Sequence, residues 1–428
     1  MSETIYSTPH NLFCAPDIHP EINQDQISGH GDIKVFLAPF HSHYDAHELI
    51  ATATALVNPH GKGIYATDEA PDVIDTLLVG AGEYGSVPPK SFSEEELEER
   101  RKKWRQAVYE AAPSNYISGV ILHPEALLSF NLAPILASKG IIPGVRANGE
   151  LAPIPRSEAD SEFIVQGLDD LLSKLQAARA TGARFAKWRS PIACSSTVDV
   201  GSKVEGGRYP SALALEIQAE TLAQFAAVSQ QAGLVPIVEP DVDFSRDADL
   251  ARSAEVHERI ISMTYERMRA HGVLLEGSLL KPSFPQPGLQ HPSRANITPN
   301  EIALATATVI SRSVPPAVPG VLFLSGTQHF NVKSFAVAHR ARSVSSGGLS
   351  SATATAYLAA LNALVLTSAP TSPFKRLPPL TFSYGRAIQG EAMKLWVRGD
   401  DKGARAGITE RAKACYHAAR GEILDTVL

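Results

Sequence analysis

Short, nearly continuous apolar runs alternate along the chain with longer segments of helical periodicity. Each run is rich in β-branched, aromatic or leucine residues and is entered near a glycine or a proline. This pattern is typical of parallel strands that are buried on both faces. The runs span residues 61–69, 118–125, 140–148, 183–189, 233–240, 272–282, 320–326 and 380–387.

Most of the segments between these runs predict helices. Residues 93–112 begin with Ser93 and early acids and carry basic residues further along, as in a capped helix whose charges complement its dipole. Between the second and third runs, residues 126–140 are shorter, and we expect Pro134 to interrupt them. Three further segments place apolar residues at helical spacing and stop at a glycine, namely 167–182, 211–233 and 252–272.

Eight parallel-type strands with intervening helices predict an α/β fold, a single closed (β/α)₈ TIM barrel. An open doubly wound sheet is the alternative, but it needs a glycine-rich phosphate turn after its first strand, and "ATDEAPD" at 66–72 is not one. We expect the barrel to occupy residues 40–428. An N-terminal extension, residues 1–39, precedes it, and a long insertion at about 330–352 follows the seventh strand.

Composition excludes several classes of protein. The chain carries 39 Lys+Arg against 45 Asp+Glu, and a net charge of -6 gives no general attraction to nucleic acid or to an anionic membrane. Cys14, Cys194 and Cys415 are too few and too far apart for a disulfide framework or a zinc site. No apolar run is long enough to span a bilayer. We therefore expect a soluble, cytoplasmic protein with no nucleic-acid or membrane partner.

Polar residues follow the predicted strands, where a TIM barrel has its active face. They are Asp68, Glu69, His123, Arg146, Lys187, Arg189, Glu239, Asp241, Lys281, Ser325 and Arg386. Lys281 lies in an apolar run, and both burial and a second cation, Lys187, would lower its pKa toward the neutral amine that attacks a carbonyl. The carboxylates of Asp68, Glu239 and Asp241 would carry the protons that imine formation requires.

Each of these residues also has a purely structural interpretation. Lys281 could form a buried ion pair with Glu239, and Trp188 is better explained by packing than by chemistry. Glu276 precedes Lys281 by five positions in what reads as the same strand. It should therefore point the opposite way, toward the helices.

Three histidines close together in sequence raise the possibility of a metal site. His43 and His47 have the i,i+4 spacing of a helical ligand pair, and His41 is nearby. No general-base glutamate lies between them in the protease pattern, and the group is outside the strand ends. We expect a surface or capping role and no metal site.

Eight stretches in order connect the chain to a known family. They are "GKGIYATDEA", "SGVIL", "QGLDDL", "FAKWR", "GLVPIVEP", "LLEGSLLKP", "VPPAVPGVLFLSG" and "LTFSYGRA". With these stretches the chain resembles the class I fructose-bisphosphate aldolases, which are metal-free barrel enzymes that use a lysine Schiff base. The resemblance implies no cofactor, a phosphorylated sugar substrate and a homotetramer. It implies cleavage of fructose 1,6-bisphosphate to dihydroxyacetone phosphate and glyceraldehyde 3-phosphate.

The resemblance also assigns roles by position. Lys281 would form the imine, Lys187 would assist as the neighbouring cation, and Glu239 would serve as general acid and base. Asp68 would handle the C4 hydroxyl as the carbon–carbon bond breaks, and Arg189 would orient the substrate. The pocket for the C1 phosphate would consist of Ser325, Gly326, Ser383, Gly385 and Arg386.

The half of the site for the distal phosphate departs from the family. Arg146 replaces the family's lysine, and where the family has serines and a Lys-Arg pair, this chain has Ala70, Val73, Thr76 and Leu77. Either the insertion supplies replacement cations or the acceptor aldehyde is not glyceraldehyde 3-phosphate. The candidate cations of the insertion are His329, Lys333, Arg340 and Arg342.

Two other interpretations stay open. The chain ends in "GEILDTVL", without the terminal tyrosine that assists proton exchange in the family's eukaryotic enzymes, so exchange should be slow relative to cleavage. That departure also suits a non-catalytic barrel retained as a scaffold. A transaldolase-like Schiff-base enzyme is a third interpretation, which the order of the motifs disfavours.

Overall fold

The barrel predicted from the eight apolar runs is confirmed. The computed structural model describes residues 45–82, 92–155, 162–196, 209–325 and 349–423. The predicted extension at 1–39 and all but the last few residues of the predicted insertion lie outside the described residues. The eight barrel strands are parallel and pair in chain order until the last returns to the first.

In chain order the strands are β1 (Gly63–Thr67), β2 (Ile117–Leu122), β3 (Ile142–Arg146), β4 (Leu151–Pro153), β5 (Phe163–Val165), β6 (Phe185–Ile192), β7 (Val235–Val242), β8 (Leu279–Leu280), β9 (Val321–Phe323) and β10 (Leu380–Tyr384). All except β4 and β5 belong to the barrel.

The helices of the described residues are α1 (Ala46–Val57), α2 (Pro71–Ala81), α3 (Glu94–Ala111), α4 (Ala133–Ala137), α5 (Leu171–Ala180), α6 (Ala212–Gln231), α7 (Leu250–Ala270), α8 (Pro299–Ser313), α9 (Ser351–Thr367), α10 (Arg386–Val397) and α11 (Asp401–Ala418). A π-helical turn covers Glu125–Ser129, and 3₁₀ turns cover Leu275–Gly277, Pro292–Asn296 and Pro373–Arg376.

Helix boundaries follow the capping signals of the sequence. Ser93 and Glu96 form a capping box at the start of α3, as Ser93 predicts. The glycines that end three of the predicted helical segments, Gly182, Gly233 and Gly272, all have positive φ. Pro134 does not interrupt a helix as expected; it lies in the first turn of α4, where its missing N–H costs nothing.

The run at 272–282 is not one continuous strand as predicted. Its middle forms the 3₁₀ turn, which includes Glu276, and only β8 pairs with the barrel. The side chain of Gln230 takes the place of a neighbouring strand, because it bonds Leu274 N (2.9 Å), Leu274 O (2.7 Å) and Gly277 O (3.2 Å). These bonds satisfy the backbone of the turn without a sheet.

A two-stranded antiparallel sheet, β4–β5, was not predicted from the sequence. Ala152 pairs with Ile164; Ile154 N donates to Glu162 O at 3.0 Å at one end of the sheet, and Gln166 N donates to Glu150 O at 2.9 Å at the other. Strands of three residues, one of them containing Pro153, give no readable period.

Helix α1 covers the amino-terminal end of the barrel. Its buried side chains Leu49, Ala53, Leu56 and Val57 belong to one hydrophobic cluster with the lower interior of the barrel. The barrel side of that cluster is formed by Ile64, Ala66, Ile121, Phe185, Val235, Ile237, Leu279 and Leu322. The second, larger core lies between the strands and the outer helices.

The alternation of side chains places charge above this apolar layer. On β6, Phe185 belongs to the interior cluster, and Lys187 lies two residues further along. On β7, Ile237 and Glu239 have the same relation. Since side chains two positions apart share a face, the same strands provide a dry floor and a charged upper end.

Candidate active site

Four predicted residues, supplied by β6, β7 and the residues directly after β1 and β8, meet at the carboxyl end of the barrel. Glu239 Oε2 accepts from Lys281 Nζ at 3.2 Å and lies 3.1 Å from Lys187 Nζ. Lys187 Nζ also lies 2.7 Å from Asp68 Oδ2. The side chains of Lys281, Lys187 and Glu239 are at most 5% exposed. One carboxylate oxygen therefore bridges two buried amines, with a second carboxylate beside one of them.

This arrangement treats the two lysines differently. Burial lowers the pKa of Lys281; Glu239 opposes that effect and Lys187 adds to it. Burial also acts against the charge of Lys187, but Asp68 and Glu239 hold the pKa of Lys187 above its ordinary value. Lys281 is thus the amine that more readily becomes neutral, while Lys187 stays cationic.

Asp68 is held as a carboxylate. Burial alone would raise its pKa, but the charges of Lys187 and Lys281 and the hydrogen bond from Lys187 keep the pKa of Asp68 below its usual range. An ionised oxygen beside the amines can accept a proton from a reacting group.

Arg189 and Asp241, two residues above Lys187 and Glu239 on their strands, form the next pair. Arg189 Nε lies 2.7 Å from Asp241 Oδ2, and Asp241 is buried. Burial acts against the guanidinium charge, but Asp241 and Glu239 raise the pKa of Arg189. Asp241, predicted as catalytic, thus forms an ion pair with Arg189, and this ion pair can hold the Arg189 side chain in one orientation.

The end of β10 and the start of α10 provide donors for an anion. The Ser383 hydroxyl is buried and has no hydrogen-bond partner in the described part of the chain. Gly385 is the N-cap of α10 and Arg386 its first residue. A Cβ on Gly385 would lie 2.6 Å from Ala66 O, so only glycine lets this helix start so close to β1. Free N–H groups at a helix start, a hydroxyl and a guanidinium suit a phosphate.

Of the other predicted substrate ligands, the structure describes Ser325 and Arg146 but not Gly326. Ser325 follows β9, and its carbonyl accepts from Leu349 N at 3.1 Å; Gly326 lies outside the described residues. Arg146 ends β3, where it bonds Asp68 O (3.2 Å) and Asn148 O (3.4 Å) and is only partly buried. His329, Lys333, Arg340 and Arg342 also lie outside the described residues.

Sequence reasoning named Glu69 among the polar residues after the strands but missed three residues around Asp68, namely Tyr65, Gln389 and Arg105. The Glu69 carboxylate accepts from Gln389 Nε2 at 2.6 Å, and Gln389 Oε1 accepts from the Tyr65 hydroxyl at 3.1 Å. Arg105 of α3, one of the basic residues of that predicted helix, is 1% exposed and contacts the backbone around Asp68. The spacing of Arg101, Trp104, Arg105, Val108 and Tyr109, all buried, is the signal that one face of α3 lies against the barrel.

The remaining sequence candidates lie elsewhere. Trp188 packs against Phe225 with ring centroids 5.5 Å apart. His47 is exposed on α1, at the opposite end of the barrel, whereas His41 and His43 lie outside the described residues. Within the described ranges no group of three or more His, Cys, Asp or Glu side chains could hold a metal ion. Nor does any helix in those ranges have the length and apolarity to cross a membrane.

Comparisons with known proteins give one family. The family model for fructose-bisphosphate aldolase class-I matches residues 48–339 and 335–427. Fructose-bisphosphate aldolase C from Homo sapiens is 36% identical over 385 residues, 88% of this chain and 90% of that protein. Fructose-bisphosphate aldolase B from Gallus gallus is 33% identical over 371 residues, which are 85% of this chain and 87% of that protein. A solved fructose-bisphosphate aldolase from Plasmodium falciparum aligns with a TM-score of 0.72 and 31% identity, over 88% of this chain and 95% of that one. The chain belongs to the class I fructose-bisphosphate aldolase family.

Proposed function

We propose that this protein cleaves fructose 1,6-bisphosphate into dihydroxyacetone phosphate and glyceraldehyde 3-phosphate, through an imine on Lys281. The observation that carries the proposal is the oxygen of Glu239 shared by Lys281 and Lys187 in a buried position. Burying such a cluster costs folding free energy, and perturbed, mutually coupled groups of this kind are concentrated at active sites.

Imine formation needs a neutral amine and a proton carrier. Lys281 attacks the C2 carbonyl to give a carbinolamine, which must gain a proton on oxygen and lose water to become the imine. Glu239 lies within hydrogen-bond distance of Lys281 Nζ and can pass the protons of both steps. Lys187 stays cationic beside it, which favours the neutral, deprotonated state of Lys281.

Bond cleavage then needs a base at the C4 hydroxyl. Asp68 accepts that proton, the O–H electron pair left on the oxygen forms the aldehyde C=O bond, and the C3–C4 electrons move into the imine to give an enamine. Lys187, 2.7 Å from Asp68, holds the carboxylate in its ionised form until the proton arrives. The enamine is protonated on C3, and water hydrolyses the resulting imine to release dihydroxyacetone phosphate.

The two phosphates require donors on opposite sides of Lys281. Ser383, Gly385, Arg386 and the start of α10 are proposed to bind the C1 phosphate, together with Ser325 and Gly326. Arg146 and Arg189 are proposed to face the distal phosphate, with Asp241 fixing Arg189. The resemblance also supports two proposals about the whole protein: that it forms a homotetramer and that it is cytoplasmic.

One observation favours a second substrate, fructose 1-phosphate. Helix α2 presents no basic side chain to the distal phosphate: Ala70 is its N-cap, Thr76 Oγ1 donates to Asp72 O at 2.8 Å, and Leu77 packs on the core. Arg146 would then be the main cation from this side of the barrel.

A cleavage assay with both sugars tests these proposals. We expect release of triose from fructose 1,6-bisphosphate by the wild type and none by Lys281→Met. Arg146→Ala should weaken kcat/KM for the bisphosphate about 10- to 100-fold, the cost of one charge-assisted hydrogen bond, and change fructose 1-phosphate little. Equal loss for both sugars would remove Arg146 from the distal site. A wild type inactive on both would favour the scaffold interpretation.

A further inference from the structure

We propose that Arg105, on the outer helix α3, is a positioning residue for bond cleavage that fixes the turn carrying Asp68. The proposal rests on the proposed function, in which Asp68 accepts the C4 hydroxyl proton. Arg105 has no contact with the reacting atoms, so it would act only through the backbone around Asp68.

Two carbonyls that flank Asp68 accept hydrogen bonds from this one guanidinium. Arg105 Nη1 donates to Thr67 O at 2.6 Å, and Arg105 Nη2 donates to Glu69 O at 2.7 Å. The carbonyl between them, Asp68 O, accepts from Arg146 Nη1 at 3.2 Å. Three consecutive carbonyls are thus bonded by two arginines, which leaves the Asp68 peptide little freedom to rotate.

The side chain of Thr67 is held from the same helix. Thr67 Oγ1 donates to Ile121 O at 2.8 Å and lies 3.1 Å from the hydroxyl of Tyr109, one helical turn after Arg105. Arg105 and Tyr109 therefore share the face of α3 that meets the end of β1. Asp68 is the first residue after that strand, and its carboxylate meets Lys187 at 2.7 Å.

The charge of Arg105 is balanced away from the substrate. Glu125 Oε2 lies 3.9 Å from Arg105 Nε, and Glu125 Oε1 lies 2.9 Å from Arg101 Nη2. The guanidinium is 1% exposed. It is thus placed to bond the turn, and is neither a surface charge nor a ligand for the sugar phosphates.

A purely structural role would satisfy the two buried carbonyls and nothing more. The two roles differ in what they predict for the separate steps. Imine formation uses Lys281 and Glu239, whereas bond cleavage also needs Asp68 in place. If Arg105 positions Asp68, its loss slows cleavage while the imine still forms; if it only stabilises the fold, both steps change together.

The test uses the Arg105→Met and Arg105→Lys variants. Each is measured for trapping of the imine with dihydroxyacetone phosphate and borohydride, and for kcat of fructose 1,6-bisphosphate cleavage. Displacing a catalytic group by about 1 Å costs up to about a hundredfold in rate. In Arg105→Met we expect kcat to fall by up to about a hundredfold, while imine trapping stays near the wild-type level. Arg105→Lys can bond one of the two carbonyls, so it should recover part of the rate.

Arg252→Met is the matched control. Arg252 is also largely buried and donates to two backbone carbonyls, Ser195 O (3.4 Å) and Tyr209 O (2.9 Å), away from the Asp68 turn. It should keep the wild-type ratio of trapping to cleavage. A wild-type ratio in folded Arg105→Met, or a parallel loss of both steps, would overturn the positioning role. Failure of the wild type itself to be trapped would count against the proposed function instead.

Discussion

Individual charged residues at the end of the barrel are stable because each has a nearby partner of opposite sign. Lys187 is buried between Asp68 and Glu239, and Glu239 is shared with Lys281. Together with burial, these contacts lower the pKa of Lys281 and raise the pKa of Lys187. Removing any single member leaves an uncompensated buried charge, so each substitution should alter the pKa of the others.

His257 provides a pH prediction outside the site. It is buried, with Nδ1 donating to Ser253 O at 2.7 Å, and burial lowers the pKa of His257 to about 4. The unfolded chain binds that proton near pH 6.5, so the free energy of unfolding should fall as pH drops from about 6.5 to about 4. His257→Asn should reduce this slope by up to about 1.4 kcal/mol per pH unit, measured by urea unfolding across the window. An unchanged slope would show that His257 is not neutral in the fold.

The sequence predicted the residues of the imine site because apolar strands make a buried lysine conspicuous. Lys187 and Glu239 lie within such strands, Asp68 and Lys281 directly follow them, and the structure brings all four together. Arg105 was not predicted, since helical spacing indicates a buried face of α3 but not which groups that face bonds. Its partners are backbone carbonyls, and a carbonyl has no sequence signature.

At the scale of elements, the barrel divides into a stabilising end and a chemical end. Helix α1 fills the amino-terminal end with Leu49, Ala53, Leu56 and Val57, and the charged residues lie at the opposite end of the strands. Sequence reasoning did not assign α1, although the buried residues of that helix have helical spacing. Nor did it predict the turn at 275–277, where a glutamine side chain replaces a neighbouring strand.

This division predicts that a cavity under α1 affects stability and not chemistry. Leu56 is 0% exposed, and Leu56→Ala should lower the free energy of unfolding by about 2–5 kcal/mol. Leu304, 52% exposed on α8, is the matched control, and its change to alanine should cost no more than about 0.5 kcal/mol. Where Leu56→Ala is folded, kcat should equal that of the wild type. A large loss of kcat would show that the two ends are coupled.

At the scale of the whole molecule, the described residues on either side of 326–348 lie beside each other. Leu349 N donates to Ser325 O at 3.1 Å, so the chain leaves β9 and returns beside it. Flanks this close let a long segment be accommodated at small entropic cost to the fold. The barrel and its closure could be predicted from periodicity alone, whereas the acceptor specificity depends on residues beyond that pattern.

The central claim, that Lys281 forms an imine with the ketose, is tested most directly by reductive trapping. The protein is treated with dihydroxyacetone phosphate and sodium borohydride, digested, and analysed by mass spectrometry to locate the adduct. The account predicts a single modified peptide carrying the adduct on Lys281, lost in Lys281→Met and retained in Arg105→Met. An adduct on Lys187 instead, or no adduct at saturating dihydroxyacetone phosphate, would contradict it.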